Sequence, residues 1–117
     1  RLCVTADRDM LRRVVLNLVL NAVDAMPEGG TLTVSASSDP QGIDLTVSDT
    51  GQGLSPEAER RAFEPFYTTK RGGTGLGLAI VYRIAEVHGG RITAANTRHG
   101  GAAFTLTIPR QAQEAAA

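Results

Sequence analysis

Apolar residues recur at helical spacing up to Met26 and at alternating spacing in later runs, and this division predicts the order of the elements. Projected at ~100° per residue, Leu11, Val14, Val15, Leu18, Val19, Ala22, Ala25 and Met26 form the centre of a broad apolar arc. Leu16, Leu20 and Val23 widen it, so the helix is expected to be buried on most sides. Asp7 or Asp9 can cap its start, and Pro27 with Gly29 and Gly30 stops it at about Met26. Thr31 to Ser37 and Ile43 to Asp49 alternate with period two and predict an antiparallel hairpin around the five-residue turn Ser38 to Gly42. Ser55 as cap and Pro56 at the first position open a short helix. A second long helix enters at Gly75 and runs to about His88, with Ile80, Val81, Ile84, Ala85 and His88 on one side. Arg91 to Ala95 and Ala103 to Ile108 form a closing hairpin around Asn96 to Gly101. Leu2 to Thr5 reads as a short strand and Pro109 to Ala117 as a frayed tail.

The polar positions that break this pattern carry the candidate chemistry. Asn17, Asn21 and Asp24 occupy the narrow strip left on the first helix. Uncharged amides there fit a cavity lining, because an Asn oxygen ligates Mg²⁺ or accepts a hydrogen bond without adding charge. The alternative is an ordinary amphipathic helix whose polar edge contains Asn. Asp49 continues the odd, apolar parity of Ile43, Leu45 and Val47, which aims a carboxylate toward the core at a strand end. That is costly without a donor, and the exocyclic amine of adenine would be one. The alternative is that Asp49 caps the glycine turn after it.

Two glycine clusters, Gly51-Gln52-Gly53 and Gly72-Gly73-Thr74-Gly75-Leu76-Gly77, bracket a segment with an aromatic anchor, Phe63, Phe66 and Tyr67, and a basic tip, Lys70-Arg71. Glycine lets backbone approach a ligand and curls amides into an anion cradle, and a glycine-rich turn opening a helix sets free N–H groups against an anion. The segment reads as a mobile lid over a phosphate-bearing ligand; a solvated loop is the alternative. Neither the dinucleotide fingerprint nor the P-loop consensus is present. His88, before Gly89 and Gly90 at a helix end, reads as a C-terminal cap rather than a catalyst.

Composition narrows the picture. At 117 residues and 42% hydrophobic content the chain fits one domain with a core, expected over 1–110 with 111–117 as tail. Lys plus Arg and Asp plus Glu number 12 each without a basic run, which excludes a nucleic-acid footprint. The single Cys3 suits a reducing cytoplasm. Val14 to Met26 is too short and too interrupted to span a bilayer, and no signal peptide is visible. The start at Arg1 and the Ala-Ala-Ala end look like an excised fragment.

The series Asn17-Leu-Val-Leu-Asn21-Ala, Asp49-Thr-Gly51-Gln-Gly53, Phe63-Glu-Pro-Phe66 and Gly73-Thr-Gly75-Leu-Gly77-Leu resembles the N, G1, F and G2 boxes of sensor histidine kinases, within the superfamily shared with gyrase and the heat-shock chaperone. Asn-Ala-Val-Asp-Ala-Met with Phe-Tyr-Thr-Thr-Lys looks like the nitrogen-regulator subgroup. The resemblance implies an α/β two-layer sandwich, a mixed, mostly antiparallel sheet with helices on one face. It implies a catalytic domain that binds ATP and Mg²⁺ and donates the γ-phosphoryl to a histidine on a separate dimerisation domain, with a response regulator downstream. Asn21 matches the Mg²⁺ ligand, with Asn17 beside it as the second catalytic position. Asp49 matches the reader of the adenine amine, Gly51 and Gly53 give the base room, and Gly73, Thr74, Gly75, Leu76 and Gly77 wrap the phosphates. Lys70 and Arg71 match lid cations. Where one common kinase pattern has a basic phosphate contact, this chain has Asp24, whose role stays open. Neither His88 nor His99 lies in a phospho-acceptor context, so the fragment alone is expected to turn over little.

Three rivals remain on the sequence. A mechanical ATPase would carry a carboxylate where Asn17 stands, a serine kinase of the anti-sigma type shares the fold, and an interaction module would have kept nucleotide binding but lost transfer.

Overall fold

A computed structural model describes residues 6–69 and 73–110. The expected strand at Leu2 to Thr5, the basic tip at Lys70-Arg71 and the tail at 111–117 lie outside the described residues. Helix α1 spans Arg8–Asp24, strands β1 and β2 span Leu32–Asp39 and Gly42–Asp49, α2 spans Pro56–Arg61, and α3 spans Gly77–Val87. Strands β3, Arg91–Asn96, and β4, Ala102–Pro109, complete the chain. The sheet order is β1-β2-β4-β3, and each of these pairs is antiparallel. The parallel component implied by a mixed sheet is not among the described strands.

Alternation decides which face is covered. Ala102, Phe104, Leu106 and Ile108 of β4 are buried, while the residues between them are only half-buried. Val47 of β2 and Ile92 of β3 share that buried side, and Val14, Leu18 and Ala22 of α1 with Val81, Ile84 and Ala85 of α3 complete the core. On the other face, hydroxyls pair across strands, Thr46 with Thr105 at 3.0 Å and Thr107 donating to Asp44 at 2.8 Å.

Several boundaries differ from the sequence expectation. The β1–β2 turn takes only Pro40 and Gln41, because the Asp39 carboxylate accepts from the amides of Gln41 at 2.7 Å and Gly42 at 3.2 Å and closes the turn early. Strand β4 continues through Pro109, and the amide of Arg110 donates to the Gln41 carbonyl at 2.9 Å, so the tail begins later than expected. Helix α1 is not buried on most sides: Leu16, Leu20 and Val23 are 54%, 51% and 52% exposed. Two layers leave one flank of the helix without a neighbour, and Val34 on the edge strand β1 is likewise 48% exposed.

The chain crosses from β2 to β3 through residues 50–90, while β4 fills the space between those two strands. That excursion carries both glycine clusters and the lid, and sets them against α1.

Candidate functional site

Two adjoining cavities of about 270 and 570 Å³ open between α1, the excursion and the sheet. They share Asn21, Asp24, Leu54, Thr69, Gly73 and Phe104. Asp49 lines the larger with Ala25, Gln52 and Gly53; Asn17, Tyr67, Thr74, Gly75 and Gly77 line the smaller.

Asp49 is 4% exposed, the only charged or polar residue of the described core. Its Oδ1 accepts from the amides of Gly51 at 2.8 Å and Ala102 at 3.2 Å. The carboxylate caps the glycine turn and lies on the core side at the strand end, as its parity implied. Two backbone donors meet the desolvation cost at one oxygen.

The polar strip of α1 lines the cavities, as expected from its spacing. Asp7 caps the helix by accepting from the Met10 amide at 3.0 Å. Nδ2 of Asn17 donates to the Gly77 carbonyl at 3.3 Å, so this amide ties α1 to the first residue of α3. The far ends of the same helices are tied by His88, whose Nε2 accepts from the Asp7 amide at 2.9 Å while Nδ1 lies 2.8 Å from the Ile84 carbonyl. An amide can only donate, which fixes Nε2 as acceptor and Nδ1–H as donor. His88 is the helix C-cap, as expected.

At the opening of α3, Leu76 is the N-cap and makes no side-chain capping bond. The first helical bond runs from the Ile80 amide to the Leu76 carbonyl, so the amides of Gly77, Leu78 and Ala79 precede the helical ladder, and Gly77 and Leu78 border the smaller cavity. A Cβ at Gly77 would meet nothing within 4 Å. Gly75 differs: at φ +74° it packs on the backbone of Phe66, whose amide donates to the Gly75 carbonyl at 2.8 Å. Phe66 itself holds φ +69° with its side chain 75% exposed. Gly73 and Thr74 line the cavity, and Leu76 lines neither, its amide donating to Thr74 Oγ1 at 3.2 Å.

Of the aromatic residues expected to anchor the lid segment, Phe63 packs on the core, whereas Phe66 is exposed and Tyr67 lies against Arg61. Ser55 caps α2 by accepting from the Ala58 amide at 3.0 Å, and Phe63 meets Phe104 edge-on at 6.2 Å between centroids. Arg61 lies over the Tyr67 ring at 4.6 Å, and the hydrogen bonds its guanidinium donates to Glu64 and Glu57 raise its pKa above the ordinary value. Lys70 and Arg71 fall outside the described residues.

Gly51 and Gly53 are glycines for reasons on the protein side. A Cβ at Gly51 would strike the Ala25 carbonyl at the end of α1, and one at Gly53, where φ is +76°, would strike the Gly100 carbonyl. Sequence reasoning missed Leu54, Thr69 and Phe104 as lining residues. The alternation of β4 pointed Phe104 inward, but only the fold shows that it floors a cavity. Among the described residues no helix is long and apolar enough to cross a membrane, and no cluster of three His, Cys, Asp or Glu could hold a metal.

A buried acid, a strip of amides and the start of α3 thus meet around one cleft. The family described as "Histidine kinase-, DNA gyrase B-, and HSP90-like ATPase" matches residues 6–112. The chain belongs to that family, and within it to the catalytic domains of sensor histidine kinases. It is 44% identical over 106 residues to sensor histidine kinase ZraS of Escherichia coli O157:H7, a match covering 91% of this chain and 23% of ZraS. The catalytic domain of histidine kinase ThkA, free of nucleotide, superposes with a TM-score of 0.83 at 37% identity, covering 92% of this chain and 71% of that one. Full-length ShkA in complex with AMPPNP gives a TM-score of 0.80 at 37% identity, covering 93% of this chain and 23% of ShkA. ThkA in complex with the response regulator TrrA gives 0.79 at 31% identity, covering 95% of this chain and 31% of that one.

Proposed function

We propose that this chain binds Mg·ATP in the paired cavities and passes the γ-phosphoryl to a histidine on a separate dimerisation domain, from which a response regulator takes it. The observation that carries the reading is Asp49: a carboxylate 4% exposed, with amides at Oδ1, in a cavity wall. Oδ2 is the acceptor offered to a purine amino group. AMPPNP in ShkA supports the nucleotide, and the response regulator bound to ThkA supports the downstream partner.

The donor set fits the ligand. Asn21 lines both cavities, so its amide oxygen can reach a cation placed between base and phosphates, and one protein oxygen suffices for Mg²⁺ completed by phosphates and water. When bound, the cation neutralises phosphate charge. The α3 amides beyond Gly75 and Gly77 receive the phosphates, with Gly73 and Thr74 beside them and Leu76 as the helix cap. Lys70 and Arg71 are the proposed lid cations. Asn17 keeps the cradle at a fixed distance from Asn21. Transfer breaks the bond between the γ-phosphorus and its bridging oxygen and forms a bond to imidazole nitrogen, a reaction that needs positioning and charge neutralisation more than covalent help. The chain works in the cytoplasm in this reading, and alone it turns over little: neither His88 nor His99 stands in a phospho-acceptor sequence, and both nitrogens of His88 are engaged within the fold.

The test mixes the chain with a histidine-bearing dimerisation domain of a sensor kinase and γ-labelled ATP. Acid-labile phosphate on the added domain supports the reading. Label on the chain's own His88 or His99, or on serine, contradicts it.

A further inference from the structure

The loop after β2 bears the base-facing acid at one end and Leu54, which borders both cavities, at the other. At that second end Asn96 Oδ1 accepts from the Leu54 amide at 2.6 Å, and Asn96 Nδ2 donates to the Leu54 carbonyl at 2.9 Å. One carboxamide thus satisfies both backbone groups of one residue, as a neighbouring strand would. Asn96 is the last residue of β3, and the turn it opens grips the rest of the loop. Gly100 packs on Gly53, Gly101 packs on the Asp49 carbonyl, and the Ala102 amide donates to Asp49 Oδ1.

We infer that Asn96 is a positioning residue for the base-facing half of the site, an inference that rests on the nucleotide reading above. Without it the Leu54 amide and carbonyl lose their partner, and the loop must be ordered when the base enters, at a cost taken from binding. Two phosphate-facing glycines are held without Asn96, Gly75 against the Phe66 backbone and Gly77 by Asn17. Loss of Asn96 therefore weakens the base and spares the phosphates.

Calorimetric titration of the 117-residue chain with Mg·ATP and with Mg·tripolyphosphate separates the two halves. Asn96→Ala is expected to bind ATP about fivefold more weakly, the factor a single net hydrogen bond represents. Tripolyphosphate affinity stays unchanged, and amide exchange at Leu54 accelerates. Asn96→Asp keeps the acceptor and loses the donor; it falls between wild type and Asn96→Ala, and it serves as the test if the alanine variant does not fold. Equal weakening of both ligands, or unchanged ATP affinity, overturns the inference. A wild type with no preference for ATP over tripolyphosphate overturns the nucleotide reading instead.

Discussion

Nδ2 of Asn17 donates to the carbonyl oxygen of Gly77 at 3.3 Å, joining the middle of α1 to the first residue of α3. The bond makes Asn17 a spacer between the polar strip and the glycine cradle. Asn17→Asp sets a carboxylate against that carbonyl, whereas Asn17→Ala only removes the donor. Urea denaturation is expected to show a loss of about 1 kcal/mol for alanine and more for aspartate. Equal stability of all three proteins means the spacer is not formed in solution.

The two glycines at the opening of α3 should part company. Gly75→Ala forces a Cβ onto the Phe66 backbone at a positive φ and should lower the melting temperature by several degrees, the effect of more than ~1 kcal/mol in a domain of this size. Gly77→Ala meets open space in a helical position and should leave stability unchanged or raise it by up to ~1 kcal/mol. The new methyl group stands at the cavity rim, so nucleotide affinity should fall. Thermal melts with and without ATP check both variants.

Much of this was legible because local rules and tertiary demands coincide. Period two alone put Asp49 on the core side, and helical spacing alone put Asn17, Asn21 and Asp24 on one strip. Asp7, Ser55 and His88 cap helices as their residue types suggest. The errors come from information that is not local. A helical wheel cannot tell which flank meets a neighbour, so Leu16, Leu20 and Val23 read as buried. Pro40 and Gln41 form a two-residue turn because the Asp39 side chain replaces missing backbone partners. Asn96 reads from the sequence only as the start of a turn, since its bonds reach Leu54, 42 residues away. Gly51 and Gly53 meet a second demand that the sequence does not show, since the fold packs the end of α1 and the β3–β4 turn against them.

Phe104 joins the core to the site, buried to 2% and bordering both cavities. Phe104→Ala should cost about 3–5 kcal/mol by denaturant unfolding, enough to leave much of a marginal domain unfolded at 37 °C. Phe104→Leu should cost far less and allow ATP titration. A stable alanine variant would falsify the assignment of Phe104 to the packing between sheet and lid.

Metal dependence should reside in Asn21. Wild type is expected to bind ATP more tightly with Mg²⁺ than with a chelator present. Asn21→Ala should abolish most of that difference while keeping its metal-free affinity and its melting temperature. A variant that retains the full Mg²⁺ effect means the oxygen donor lies elsewhere.

Asp49 decides the account. Calorimetric titration of wild type and Asp49→Asn with Mg·ATP and with Mg·ITP, which lacks the exocyclic amine, isolates the contact between carboxylate and base. Wild type is expected to prefer ATP by roughly tenfold or more, the range of a hydrogen bond to a charged group, and Asp49→Asn to lose most of the preference with little loss of stability. Equal affinity of wild type for the two nucleotides would contradict that contact.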